Sequence, residues 1–201
     1  GLWINGGGWL KVQGVAVDFI YRDLAKVTKI VEDCHAGQVD IFYQPGHPHG
    51  FVTSIYMAEL AVCQLLWESD RAEVSALKAR TVPYPASLVR ALIDKFSWEI
   101  DFSLGIAHKA VSRGDVVYAS GCCFRAAMCM LQTLFALNRA YWLNEKGAVL
   151  AAERFSLLPP DFRARIEQAF ARLSAQGADI ESAVGLLEGL SLDIARLTAE
   201  R

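Results

Sequence analysis

No aspartate or glutamate occurs in the first seventeen residues, and no Cys-x-x-Cys pair occurs among Cys34, Cys63, Cys122, Cys123 and Cys129. The missing pair argues against a structural zinc site. An odd number of cysteines lying mostly inside apolar runs predicts reduced, packed thiols in a cytoplasmic protein. Vicinal Cys122 and Cys123 are better read as packing residues than as a redox pair, because adjacent helical side chains point in different directions. Excess charge is also lacking: 20 Lys and Arg against 22 Asp and Glu leave a net charge of -2. There is no overall basic field and no strong nucleic-acid signal. The longest apolar run, residues 126–137, is interrupted by Gln132 and Thr133, well short of the ~20 residues needed to cross a bilayer, so no membrane span is expected. Repeats and low-complexity tracts are absent. The opening GLWINGGGWL has neither an initiator Met nor the charged start of a signal peptide, which predicts that the chain begins inside a longer polypeptide.

What is present suffices for a packed core: 201 residues, 53% of them hydrophobic and 21% charged, enough for one large domain or two small ones. The stretch WLKVQGVAVDFIYRD at residues 9–23 reads as a β-hairpin turning at Gln13-Gly14. Its second strand is apolar on both alternating faces, as a strand covered on both sides would be, apart from one acid, Asp18. Unpaired burial would cost that carboxylate on the order of several kcal/mol, so it is expected at an open strand end, in an ion pair or facing a metal. The glycines at 6–8 lack the Gly-Lys-Ser/Thr continuation and helix start of a phosphate loop, and read as a flexible turn.

Asp23 reads first as the N-cap of a helix whose apolar residues Leu24, Val27, Ile30, Val31 and Cys34 recur at helical spacing. A strand over 39–43 is followed by the loop His47-Pro48-His49-Gly50. Its two histidines suit a substrate contact or a shared metal, though no third ligand lies nearby, and ordinary loop chemistry accounts for them equally well. The pattern then predicts a helix over 51–60, a strand over 61–67 and a short helix over 71–80, before Pro83 and Pro85 mark a domain boundary. Beyond it every segment is helical. Leu88, Leu92, Phe96, Ile100, Leu104, Ala107 and Val111 form one stripe; Phe124, Met128, Leu131, Phe135 and Trp142 form a second on an antiparallel partner. Shorter helices are expected over 144–155, from Pro159-Pro160, and along Ile180, Val184, Leu187, Ile194 and Leu197. The expected fold is α+β: residues 1–84 form a partial small mixed sheet with flanking helices, and residues 85–201 an up-and-down bundle of four or five helices.

The stretch at 9–23, its continuation DIFYQPGHPHG and the phrase LLWESDRAEVSALKARTVPYP resemble a bacterial family of nucleotidyltransferase-like proteins in the DNA polymerase beta superfamily. The layout of a small acidic sheet before a bundle is also similar to aminoglycoside nucleotidyltransferases. The resemblance implies transfer of a nucleoside monophosphate from a nucleoside triphosphate, such as ATP, to an acceptor, with three carboxylates holding magnesium. It makes Asp18 the third of these, a catalytic residue and metal ligand, and residues 1–84 the C-terminal part of the catalytic domain. The family's Gly-Ser helix start and two paired acids should precede Asp18, where this chain has no acid. The chain by itself is therefore expected to be inactive, because one carboxylate cannot organise two-metal chemistry.

Arg22, about 13 Å along the strand from Asp18, is a candidate triphosphate contact or a surface ion pair. Lys78 is another nucleotide contact candidate or a solvated helix end. The enzyme reading expects a cleft between the Asp18 sheet and the bundle, with the aromatic and acidic residues 96–101 near its wall. Glu99 and Asp101 there are candidate functional acids or, as is usual for charges on a helix, acids of a solvated face. A second reading makes the chain a non-catalytic module that forms a homodimer through the apolar run at 126–137.

Overall fold

The computed structural model describes residues 6–200, so the start of the expected loop at Asn5 lies outside the described residues. The fold is α+β, in two compact units that meet after Leu88, a few residues past the boundary expected from Pro83 and Pro85. In the first unit, β1 (Gly7–Val12) pairs antiparallel with β2 (Val15–Ile20), Trp9 opposite Asp18 and Val12 opposite Val15. Gln13 and Gly14 take φ of 49° and 85°, the left-handed geometry that lets a two-residue turn follow the strand twist. Asp23 caps α1 (Leu24–His35) by accepting from the Lys26 amide at 2.7 Å, and Val27, Ile30, Val31 and Cys34 are its buried face.

A second antiparallel ribbon joins β3 (Ile41–Gln44) to β4 (His47–Val52). Two corrections follow. The sheet expected to be mixed consists, among the described residues, of two separate two-stranded antiparallel ribbons. The expected histidine loop is part of a strand, since a ribbon's open edge tolerates Pro48 and Gly50 supplies a φ of +120° that a side chain would strain. The next helix, α2 (Ile55–Val62), starts later than the pattern predicts. Residues 63–69 form no strand, since an apolar run without alternation or turn signals does not by itself specify one. α3 (Glu73–Ala79) completes the unit, with Glu68 accepting from the Ser75 amide and hydroxyl and so tying down the irregular segment before it.

The second unit is all-helical. It contains most of α4 (Ala86–Ala107), a 3-10 turn over His108–Arg113, α5 (Val116–Leu137), the single-turn α6 (Ala148–Ala152), α7 (Phe162–Arg172) and α8 (Gly177–Ala199). Asp115 caps α5 by accepting from the Tyr118 amide. A bidentate pair from Arg125 to Glu99 joins α5 to α4 at comparable distances from their connection, as in an antiparallel hairpin. Every residue of 126–137 is buried, so the run read as a dimer surface is the bundle's central helix. α5 is long and apolar enough to span a bilayer by length and composition, and 72% of that window lies inside the fold, which accounts for its apolarity without a membrane. Backbone approach is close where the 3-10 turn meets the segment before α8: a Cβ on Gly114 would stand 2.3 Å from the Ala175 carbonyl oxygen.

Candidate functional site

Asp18 lies in the middle of β2, but the strand is not buried. Five of its six residues are exposed, Asp18 among them, and the ribbon leaves Trp9 75% exposed and Val15 64% exposed. The premise of a strand covered on both faces is therefore corrected: the apolar alternation is real, but most of it stands exposed. Asp18 makes no side-chain hydrogen bond or ion pair among the described residues. Its carboxylate avoids the burial penalty by standing in solvent, where it is open to a metal or a ligand.

Arg22 follows the strand and turns toward α2. Its Nε and Nη2 donate to the two Glu59 oxygens at 2.8 and 2.6 Å, Nη1 donates to the Tyr21 carbonyl, and the guanidinium lies 5.0 Å from the Tyr56 ring centroid. The hydrogen bonds to Glu59 raise the Arg22 pKa against an opposing effect of burial. Tyr56 beneath it is pushed up by burial, only partly offset by the cation. Of the two meanings the sequence allowed for Arg22, the ion pair is the one formed. Glu59 was not singled out in the sequence, although a lone acid in the apolar IYMAELAV run is the same kind of signal as Asp18 in its strand.

Lys78 is engaged as well. Its Nζ donates to the carbonyls of Leu60, Ala61 and Cys63 at 2.9, 2.8 and 2.9 Å, spending all three ammonium protons on the end of α2. The ammonium thus satisfies carbonyls that a helix end leaves without partners. Asp18, Arg22 and Lys78 do not contact one another through side chains.

Beside the Arg22–Glu59 pair is a cleft of about 320 Å³, with Tyr56 and Cys63 on its polar side and Leu24, Val27 and Val74 among its apolar walls. The guanidinium and carboxylate already satisfy each other, leaving the cleft without an uncompensated charge to hold a triphosphate. Among the described residues no three His, Cys, Asp or Glu side chains gather to hold a metal. Asp18 by itself does not fit a two-metal centre.

The cysteine reading holds in its main point: all five thiols are free. Burial pushes Cys34 up to about 12 and Cys123 up to about 11, which makes both poor nucleophiles. Cys63 and Cys122 are only half-buried, not the core thiols expected.

Neither the curated proteins nor the solved structures contain a match to the chain. Residues 55–146 match a family model described as a domain of unknown function (DUF4037), a segment just under half the chain that takes in Glu59 and Lys78 and begins after Asp18 and Arg22.

Proposed function

We propose that this chain belongs to a magnesium-dependent nucleotidyltransferase-type protein that moves a nucleoside monophosphate from a nucleoside triphosphate to an acceptor. The observation that carries this reading is Asp18, a solvent-open carboxylate with no side-chain partner in the middle of an apolar strand whose faces are uncovered. Such a ribbon is suited to the margin of a larger sheet, where a strand-borne acid would meet others brought by neighbouring strands. Arg22 and Lys78 then support the site indirectly. They fix the exit of β2 and the end of α2, and neither touches the triphosphate. Magnesium enters only together with carboxylates that the described residues do not provide. The free thiols are in keeping with a cytoplasmic protein.

The test uses the full-length protein, incubated with magnesium and nucleoside triphosphates labelled at the α-phosphate. Transfer of label is expected, falling at least ~100-fold in Asp18→Asn, since loss of a metal-holding group removes several kcal/mol of transition-state stabilisation. Undiminished transfer by that variant would sink the assignment. A second reading, a non-catalytic module that self-associates, finds its support in the exposed ribbon now that 126–137 is buried. A measured dimer that transfers no label and that a Trp9→Lys variant converts to monomer would favour it.

A further inference from the structure

We infer that the cleft between α4 and α8 binds a small alkylammonium cation. The cleft encloses about 340 Å³, near the lower end of the range for small-molecule sites and too small for a nucleotide with its phosphates. It opens because α8 sets the small side chains Ser191, Ala195 and Thr198 opposite Ser97, Trp98 and Asp101 of α4. No lysine or arginine lines it. The Ser191 hydroxyl donates to Asp101 Oδ1 at 2.5 Å, which fixes the carboxylate, and Oδ2 has no partner among the described residues.

Trp98 stands at the rim 60% exposed, its ring centroid 5.6 Å from that of Phe102, which is 57% exposed. Trp98 and Asp101, three residues apart on α4, both line the cleft, so an indole and a fixed anion sit at the same opening. An indole attracts cations through its quadrupole, and the carboxylate adds a full charge of the complementary sign. The apolar walls favour a cation sheathed in methyl or methylene groups over an inorganic ion, which would keep its water. The single uncompensated negative charge disfavours anions. This inference stands apart from the nucleotide-transfer proposal and uses none of its residues.

Choline is the probe, and 3,3-dimethyl-1-butanol, which has its shape without the charge, is the control. Both are titrated into the intact chain while the backbone amides of Ser191, Ala195 and Thr198, present in every variant below, are followed by NMR together with the Trp98 indole N–H of the unaltered chain. Choline should give a saturable shift, with the neutral isostere about tenfold weaker or more. Trp98→Ala and Asp101→Asn should each weaken choline about three- to tenfold, and Trp98→Phe should recover part of the loss. Ser191→Ala, which removes the anchoring hydroxyl but leaves the carboxylate, should keep most of the binding. Thermal melts of each variant separate lost binding from lost folding. Equal binding of the isostere, no saturable shift, or a loss in Ser191→Ala as large as in Asp101→Asn would each overturn the inference, the last because Asp101 would then act only as a strut.

Discussion

At the scale of single residues, the energetics favour internal pairing over ligand contact. Arg22 and Glu59 form a half-buried fork with side-chain exposures of 19% and 35%. Solvent screening discounts the pair relative to a fully buried one, while removing one partner leaves the other without its counter-charge. Glu59→Ala is expected to cost about 1–2 kcal/mol in urea unfolding, and the Arg22→Met, Glu59→Ala double variant less than the sum of the two singles. Gln132 is the opposite case. It is wholly buried in α5 and neither amide atom finds a hydrogen bond, a desolvation cost of about 1–3 kcal/mol without return. Gln132→Leu, close in volume and free of that cost, should raise the unfolding midpoint; a lower midpoint would show that the amide has a role the fold does not reveal.

At the scale of elements, what could be read from the sequence divides along local and non-local lines. Hairpin β1–β2, the Asp23 cap, the buried face of α1 and the long bundle helices were legible, because each depends on residues within a few positions of one another. β4 was missed because Pro48 and Gly50 break its pattern, and the expected strand over 61–67 because an apolar run alone does not specify helix, strand or coil. Asp18 was legible as an odd acid in its strand, but its exposure was not, since alternation reports which residues want cover and not whether cover is present. The partners of Arg22 and Lys78 lie 37 and 15 to 18 residues away, beyond any local rule. The segment before α3 carries a prediction at this scale. Hydrogen bonds from Ser75 hold Glu68 below the usual carboxylate range. A depressed folded-state pKa gives stability that is present above the unfolded value and lost as pH falls through the folded one. The protection factor of the Ser75 amide, its exchange rate compared with that of an unstructured amide at the same pH, should therefore fall as pH drops below the ordinary glutamate range, and Glu68→Gln should remove that pH dependence.

For the whole molecule, cover is unevenly distributed. The second unit encloses α5 on every side along 126–137, whereas β1 and β2 pair with each other and leave most of their residues exposed. Two-stranded ribbons are marginal in water, and the helix most enclosed by its neighbours opens last. Hydrogen exchange followed by mass spectrometry should find the ribbon amides exchanging first and the α5 amides last, nearer the rate of global unfolding. Protection of the ribbon equal to that of α5 in the isolated chain would mean that another molecule covers it, and dilution would then restore fast exchange. The segment matched by the family model, residues 55–146, crosses the boundary between the two units, so the stretch shared with that family does not coincide with either one.

The three hydrogen bonds of Lys78 bear on its covalent chemistry. Acylation requires an amine with a free lone pair, and an ammonium held by the Leu60, Ala61 and Cys63 carbonyls must first release them and lose a proton. Amine-directed labels should pass over Lys78 in the folded chain while reaching exposed Lys29, and the moment Lys78 takes up label would report the opening of the C-terminal end of α2.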